Sequence, residues 1–362
     1  MEDPYNSSLV DEDVIDPSLE EDNDVATPTR YTIASYGADY PVDGLVKRIA
    51  KGDIFVPEFQ RGFVWSNAQA SRFVESMLLG LPVPGIFLFK EPDTKKLVVV
   101  DGQQRLLTLQ YFYEGIMHGK EFVLRGVSTK ELEGQTYKNL QPGDRRRLDD
   151  AILHATVFQQ DDPKNDRSSI YLVFERLNTG GTPLNPQEIR SCVYRGSFNN
   201  LLKELSKNSD WAKIFGRESR RGKDQELILR FLALYESINE YERPMKGFLN
   251  NFMEKYRQAS PETIARYRTV FENVVRYAAE YLGPKAFRPE RNLNAAVTDA
   301  LLVGLARRIE NGPIANAGEL VTAAQDLLDN DEFTDSITSA TTDKPTVEKR
   351  IQMVTDAFSG IT

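Results

Sequence analysis

The chain has 362 residues, which is enough for two domains on a prior of about 150 residues per domain. It contains a single cysteine, Cys192, which excludes a disulfide framework and a cysteine zinc site. No apolar run approaches the ~20 residues of a membrane span, and the N-terminus lacks the pattern of a signal peptide. We therefore expect a cytoplasmic protein with no membrane partner.

The formal net charge of −9 belongs to the N-terminal tail rather than to the rest of the chain. Residues 1–30 contain ten acidic residues and one basic residue, Arg30, which leaves 44 of each sign in the remaining 332 residues. Few large apolar side chains occur in this tail, which predicts disorder. The tail is either a solvated leader or an acidic segment that competes with nucleic acid. A body without net charge neither favours nor excludes nucleic-acid binding.

From residue 31 to 195 the pattern predicts a domain of mixed helices and strands. Val42, Leu45, Val46 and Ile49 have helical spacing, and Gly52 follows them as a stop. The elements predicted next are a strand at 53–56, a helix between Ser66 and Gly80, strands at 85–90 and 97–100 that form a hairpin, a helix after residue 102, a strand at 121–124, a helix at 143–152, a strand at 154–159, and helices at 168–177 and from Asn185. Ser66 with Gln69, and Asn185 with Glu188, predict capping boxes at two of these helix starts.

From residue 196 to 362 the apolar spacing is helical throughout, without strands and without a repeat of fixed period. The fold class predicted for the whole chain is therefore α+β, with a mixed first domain followed by an all-α domain. Its helices centre on residues 201–205, 227–235, 264–278, 293–309, 320–328 and 347–358.

The most informative stretch runs from Leu97 to Leu109, where a buried strand, a glycine turn and a helix start follow one another. The first N–H groups of a helix and its dipole attract anions. Gly102 lacks the Cβ that would keep a phosphate away, and Gln103 and Gln104 offer backbone N–H groups around it. Arg105 adds a fixed cation, and Asp101 a carboxylate that can hold Mg²⁺ or a water. The alternative is an ordinary junction with polar residues facing water.

Two further loops combine polar residues with glycine. Residues 57–65 mix three aromatic side chains with Gln60 and Arg61, which predicts a ligand-facing loop or a loop whose aromatic residues pack into the core. Asn178, Thr179 and Gly180 follow a helix, where they are either its C-terminal stop or a loop that closes on a ligand.

Two basic clusters are candidates for phosphate contacts. Arg145, Arg146 and Arg147 lie on a predicted helix, and a second cluster occupies residues 217–223. A solvated helix face and a solvated loop are the alternatives.

The common catalytic motifs are missing from the sequence. There are only two histidines, His118 and His154, and neither a Walker-type phosphate loop nor a Gly-x-Ser-x-Gly elbow occurs. Any chemistry would rest on carboxylates, arginine, amides and a bound metal.

Three segments, in this order, resemble one family: Phe-Gln-Arg-Gly-Phe-Val-Trp at 59–65, Val-Asp-Gly-Gln-Gln-Arg at 100–105, and Phe-Glu-Arg-Leu-Asn-Thr-Gly-Gly-Thr-Pro-Leu at 174–184. Together they resemble the N-terminal domain family of the GmrSD-type restriction endonucleases. The resemblance covers roughly residues 40–195. It implies a ParB/sulfiredoxin-like fold that binds a nucleoside triphosphate with Mg²⁺ and often hydrolyses it, in defence against foreign DNA. Large members carry a second, His-containing nuclease domain, for which this chain has no motif.

The resemblance and the loop chemistry together predict a nucleotide-dependent regulatory or sensor protein. Asp101 and Arg105 are the candidate catalytic residues, with Asp101 as metal ligand. The expected partners are the nucleotide, DNA and a separate nuclease subunit, and a homodimer is compatible with the sequence. The alternatives are a DNA-binding module without turnover and a metal-dependent nicking nuclease that uses Asp101. The candidate nucleotide-binding residues are Gln60, Arg61, Gly102, Gln103, Gln104, Arg105, Asn178, Thr179 and Gly180.

Overall fold

The structure is a computed structural model, and it describes residues 32–56, 63–162, 167–177, 184–219 and 221–362. The chain divides into two compact units, one that ends at Leu184 and one that begins at Asn185. In the described ranges, no helix is long and apolar enough to cross a bilayer.

The first unit is built on a five-stranded mixed sheet with the strand order β1-β7-β3-β4-β2. β3 and β4 form the expected antiparallel hairpin, whereas β2 runs parallel to β4 and β3 runs parallel to β7. A separate two-stranded hairpin, β5-β6, accompanies the sheet. The strands are β1 (Thr32–Pro41), β2 (Ile54–Phe55), β3 (Ile86–Lys90), β4 (Leu97–Asp101), β5 (Ile116–Met117), β6 (Lys120–Glu121) and β7 (Ile152–Asp162).

Helices cover both faces of this sheet. The main core lies between one face and four helices, and Leu88, Val99 and Val157 fill it from the strands. On the other face α5 contacts β4, with Phe174 fully buried. The helices of this unit are α1 (Val42–Ala50), α2 (Asn67–Leu79), α3 (Gln103–Glu114), α4 (Pro142–Asp150) and α5 (Ser168–Leu177). The predicted α+β class is confirmed.

Local capping signals set several of these helix ends. The predicted capping box of α2 is present: the Ser66 hydroxyl accepts a hydrogen bond from the N–H of Gln69, whose side chain accepts one from the Ser66 N–H. Gly80 ends the helix in the left-handed conformation.

The second unit is all helical, as predicted. Its helices are α6 (Pro186–Val193), α7 (Ser197–Leu205), α8 (Ser209–Phe215), α9 (Lys223–Ser237), α10 (Met245–Lys255), α11 (Pro261–Tyr277), α12 (Ala295–Glu310), α13 (Ala317–Leu328), α14 (Asp331–Thr338) and α15 (Lys344–Ser359).

The sequence predicts that the first domain ends at residue 195, whereas the compact units divide between Leu184 and Asn185. α6 groups with the helical unit because Arg190, which is almost fully buried, donates to Asn250 and Glu226, both at 2.9 Å. Cys192, on the same helix, is buried as a small core residue.

Asp224, in the first turn of α9, is a buried carboxyl group with an unusual environment. Burial raises its pKa to about 6, although the N–H of Gln225 donates to one of its oxygens. Among the described residues the other oxygen, Oδ2, has no hydrogen-bond partner. The charged form is therefore held in the folded protein at a cost in free energy.

We expect the free energy of unfolding to fall as the pH rises from about 4 to about 6, because in this window the folded state binds more protons at Asp224 than the unfolded state does. The contribution is about 3 kcal/mol. Urea denaturation at a series of pH values, wild type against Asp224→Asn, isolates it. A difference between the two proteins that does not change across this range would contradict the prediction.

Candidate functional site

The loop from Asp101 to Arg105 lies where β4 ends and α3 begins. Gly102 is the N-cap of α3, which has no side-chain cap and no acidic residue in its first turn. The positive end of the helix dipole is therefore not compensated from within the helix. This is the strand, glycine turn and helix start that the sequence predicts.

Asp101 and Arg105 form an ion pair across this helix start. Arg105 Nη2 donates to Asp101 Oδ2 at 2.7 Å, with the arginine side chain 15% exposed and the aspartate side chain 39% exposed. Arg105 Nε is buried, and it finds no hydrogen-bond partner within the described ranges. One carboxylate thus holds the guanidinium in place, and the exposed part of the guanidinium is the part that a ligand can reach.

Gly102 is required here by the backbone and by its neighbours. Its φ of +97° is rarely adopted by residues with a Cβ, and an added Cβ would lie 2.3 Å from Ile86 Cγ2 and 3.3 Å from Arg105 Nη2. The missing side chain makes room for the start of β3 and for the Arg105 guanidinium.

We expect Gly102→Ala to destabilise the protein by about 2–4 kcal/mol, because the left-handed backbone costs about 1–2 kcal/mol and the contact with Ile86 adds strain. Gly115→Ala is the matched control, because Gly115 also has a positive φ, +78°, but nothing lies within 4 Å of its added Cβ. Urea denaturation of both variants measures the difference. Equal losses would show that Ile86 relaxes without cost.

Gln104 joins the first two sequence motifs. Its Oε1 accepts hydrogen bonds from the backbone N–H groups of Val64, at 3.0 Å, and Trp65, at 3.3 Å. The end of the 57–65 segment is thereby fixed to the first turn of α3. The Gln104 side-chain oxygen therefore fixes the position of this segment. The group of Gln104 that is left for a phosphate is its backbone N–H, in the first turn of α3.

The aromatic residues at the end of that segment pack against the protein. Phe63 makes an edge contact with Tyr111, with ring centroids 5.1 Å apart, and Trp65 makes one with Phe73 at 5.7 Å. For these two residues the structure supports the core-packing alternative. Gln60 and Arg61 lie outside the described residues.

The third motif begins in α5 and continues beyond it. The N-terminal end of α5 lies beside the β3-β4 turn, where Arg167 Nη2 donates to Asp93 Oδ2 at 3.0 Å. The helix then contacts β4, the strand that ends at Asp101. Asn178, Thr179 and Gly180 follow it and lie outside the described residues.

Some arginines of the two basic clusters have partners within the protein. Arg145 donates to the carbonyl of Lys138 and lies over the Tyr137 ring, whereas Arg146 and Arg147 are exposed. In the second cluster Arg221 donates to the buried Glu188 carboxylate at 2.9 Å. The described part of each cluster therefore retains exposed cations, but fewer than the sequence suggests.

An exposed hydrogen-bonded pair that the sequence analysis did not predict lies at the end of the sheet where β4 reaches Asp101. His154 Nδ1 is hydrogen-bonded to an oxygen of Asp39, on neighbouring strands β7 and β1. Sequence spacing gave no signal for this pair, because 115 residues separate its two members. In the described ranges no three His, Cys, Asp or Glu side chains are grouped so as to hold a metal ion.

Residues 42–195 match the family model described as GmrSD restriction endonuclease, N-terminal domain. This confirms the resemblance drawn from the three motifs, all of which lie within the matched range. The match indicates a protein of a restriction system. No curated protein and no solved structure matches the chain.

Proposed function

We propose that the chain binds a nucleoside triphosphate at the loop from Asp101 to Arg105 and hydrolyses it as the regulatory or sensor component of a restriction system. The observation that carries this proposal is the Arg105 guanidinium, fixed by Asp101 beside an uncapped helix start, with a buried Nε that no described residue engages. Backbone N–H groups at a helix start together with a forked cation are suited to phosphate.

The net charge of the loop determines how much further positive charge is needed to bind a triphosphate. Asp101 and Arg105 compensate each other, so a triphosphate would find little net positive charge in the loop alone. Arg61 is the cation that the first motif would add, and Gln104 holds the end of that motif at α3. Gln60, Asn178, Thr179 and Gly180 would complete the contacts from the two flanking loops.

The donor set suits a Mg²⁺ ion that arrives with the nucleotide. Asp101 is a partly exposed carboxylate, and only its Oδ2 is used by Arg105 among the described residues. Nucleotide-bound Mg²⁺ commonly takes one or two carboxylates and completes its coordination with phosphates and waters. When bound, the ion would neutralise charge on the phosphates.

The roles of the two charged side chains follow from phosphoryl transfer, which needs positioning and charge neutralisation more than covalent chemistry. Arg105 would stabilise the negative charge that develops on the phosphoryl oxygens. Asp101 would orient the attacking water and, through the ion pair, the Arg105 guanidinium.

Calorimetric titration with ATP, GTP, CTP and UTP in the presence of Mg²⁺ tests the binding step directly. We expect one base to be preferred and the affinity to fall when Mg²⁺ is removed by a chelator. A phosphate-release assay with the preferred nucleotide then tests hydrolysis. If none of the four nucleotides releases or absorbs heat or raises the melting temperature, the loop is a structural junction.

DNA and a separate nuclease subunit are the partners that the restriction context suggests for this chain. In the DNA-binding alternative, the exposed Arg146 and Arg147 on α4 would contact DNA phosphates. A DNA-binding module without turnover would bind duplex DNA with an affinity that decreases steeply with salt, and neutralising these two arginines would reduce that slope. Binding that is insensitive to both would argue against this alternative.

A further inference from the structure

β1 is an edge strand whose outer side is unpaired in the described part of the chain. It has ten residues and a single hydrogen-bonded neighbour there, β7. Most of its residues are exposed, including two large apolar ones, Ile33 at 40% and Tyr36 at 47%. A strand of this length presents a row of N–H and C=O groups that can pair with another strand.

This edge lacks the devices by which proteins usually prevent such pairing. Edge strands are commonly short, or they carry lysine, inward-facing charges, proline or bulges along their length. β1 carries no lysine or arginine, its one charged residue is Asp39, and its one proline, Pro41, is the last residue. The register with β7 shifts only next to Thr32, at the other end. The segment from Ile33 to Tyr40 is therefore a regular, nearly uncharged edge.

The two residues on each side of Tyr36 are all small, whereas the outer pairs, Ile33 with Asp39 and Thr32 with Tyr40, differ in size. If two copies pair antiparallel with Tyr36 opposite its own symmetry mate, Ala34 lies opposite Ala38 and Ser35 lies opposite Gly37. Residues directly opposite in an antiparallel pair share one face, so the half-buried face of Ala34, Ala38 and Tyr40 continues across the junction. In this register Asp39 lies opposite Ile33, and the two Asp39 carboxylates are about 20 Å apart along the strands, which screens their repulsion.

We propose that β1 pairs with β1 of a second copy of this chain across a two-fold axis centred on Tyr36, joining the two sheets into one. Isologous pairing of this kind closes on itself, so it produces a dimer rather than a filament. The aromatic pair at the centre adds to the backbone hydrogen bonds. The inference rests on the edge of the sheet and is independent of nucleotide binding.

The register is tested by disulfide trapping. Opposite Cα atoms in an antiparallel pair lie about 4.5–5.5 Å apart, which is within the range that a disulfide spans. The native Cys192 is buried, and burial raises its pKa, so it does not compete with an introduced thiol. We expect wild type to have twice the chain mass by light scattering, and Tyr36→Cys to form a covalent dimer in mild oxidant.

Ala34→Cys is the matched control, because it lies on the same face but four residues from its nearest counterpart in the partner. Alone it is expected to remain uncrosslinked, and mixed with Ala38→Cys it is expected to give a heterodimer. This second pair also keeps the test valid if Tyr36→Cys does not fold. A monomer at all concentrations overturns the proposal, and so does a dimer in which neither Tyr36→Cys nor the mixed pair crosslinks.

Discussion

Replacing Arg105 by alanine is expected to lower the affinity for the preferred nucleotide by about 100-fold, or ~2.7 kcal/mol. A hydrogen bond to a charged group contributes about 1.5–3 kcal/mol, and the Arg105 guanidinium, which is 15% exposed, has N–H donors besides the one that binds Asp101. The measurement is calorimetric titration of the variant under the conditions that saturate wild type.

The fold should survive this substitution. Asp101 is 39% exposed, so its carboxylate can be hydrated once Arg105 is lost, and the cost in stability is expected to be about 1 kcal/mol. Arg146→Ala is the matched control, because it removes an exposed arginine from α4 of the same unit and should leave affinity unchanged. An Arg105→Ala protein that folds and binds nucleotide like wild type would refute the assignment of the phosphate site.

Asp101→Asn separates binding from turnover in the same experiment. Removing its negative charge takes away a repulsion of phosphate, so the affinity measured in the chelator is expected to stay unchanged or to increase. The gain in affinity that Mg²⁺ gives the wild type is expected to be smaller in the variant, because the variant lacks the proposed metal ligand. Phosphate release should nevertheless be lost, since a neutral amide orients water and guanidinium less well. Loss of binding in the chelator as well as in Mg²⁺ would instead assign Asp101 a structural role.

The fold around the loop could be predicted because its signals are local. The capping boxes at Ser66 and Asn185 and the hairpin before Asp101 depend on residues a few positions apart, and all three are present. β1 was not predicted, because both of its faces are largely exposed at the edge of the sheet. Alternation of apolar and polar residues marks a strand only where one face is buried.

The partners of the polar side chains could not be predicted, because they come from distant parts of the chain. Gln104 was expected to offer its backbone N–H to phosphate, and no pattern in the sequence indicates that its side-chain oxygen accepts from two N–H groups about forty positions earlier. Arg221 was expected on a solvated or phosphate-binding loop, and it instead pairs with Glu188, which sequence reasoning identified only as a helix cap. Long polar side chains carry no periodicity that reveals which of them the fold will bury.

The second large effect is expected in the core of the helical unit, where Asp299 is the counter-ion of Arg230. Asp299 is fully buried, and its carboxylate accepts hydrogen bonds from Arg230 Nε at 3.1 and 3.2 Å and from Nη2 at 2.5 Å. Burial alone would lower the pKa of Arg230, but Asp299 outweighs it and raises the pKa. The pair joins α9 to α12.

A second buried guanidinium, that of Arg350 on α15, lies in the same environment. Its Nη1 donates to the carbonyls of Ser336 at 2.9 Å and Thr341 at 3.1 Å. Burial lowers the pKa of Arg350 to about 10, so it remains charged at neutral pH, and Asp299 is the carboxylate that acts on it. The Asp299 carboxylate therefore pairs with one buried cation and acts electrostatically on a second.

We expect Asp299→Asn to reduce the free energy of unfolding by about 3–5 kcal/mol, because it removes the ion-pair partner of the buried Arg230 and the negative charge that acts on the buried Arg350. The melting temperature should fall by roughly 10 °C. Asp343→Asn is the matched control: it breaks the ion pair with Arg243, which has a similar distance of 2.6 Å but side chains 40% and 49% exposed. That change is expected to cost about 0–1 kcal/mol.

The double variant Arg230→Met with Asp299→Leu separates the net contribution of the ion pair to stability from the cost of leaving Arg230 without its partner. It is expected to regain only the part of the stability that the unpaired Arg230 charge costs. Apolar side chains of similar volume need no counter-ion in the core, whereas Arg350 still lacks Asp299 in the double variant. Chemical denaturation of the three variants and the wild type provides the comparison. If Asp299→Asn cost no more than Asp343→Asn, water or a change in packing would have to compensate the two arginines. In that case the burial of an ion pair would not determine how much stability is lost when its carboxylate is neutralised.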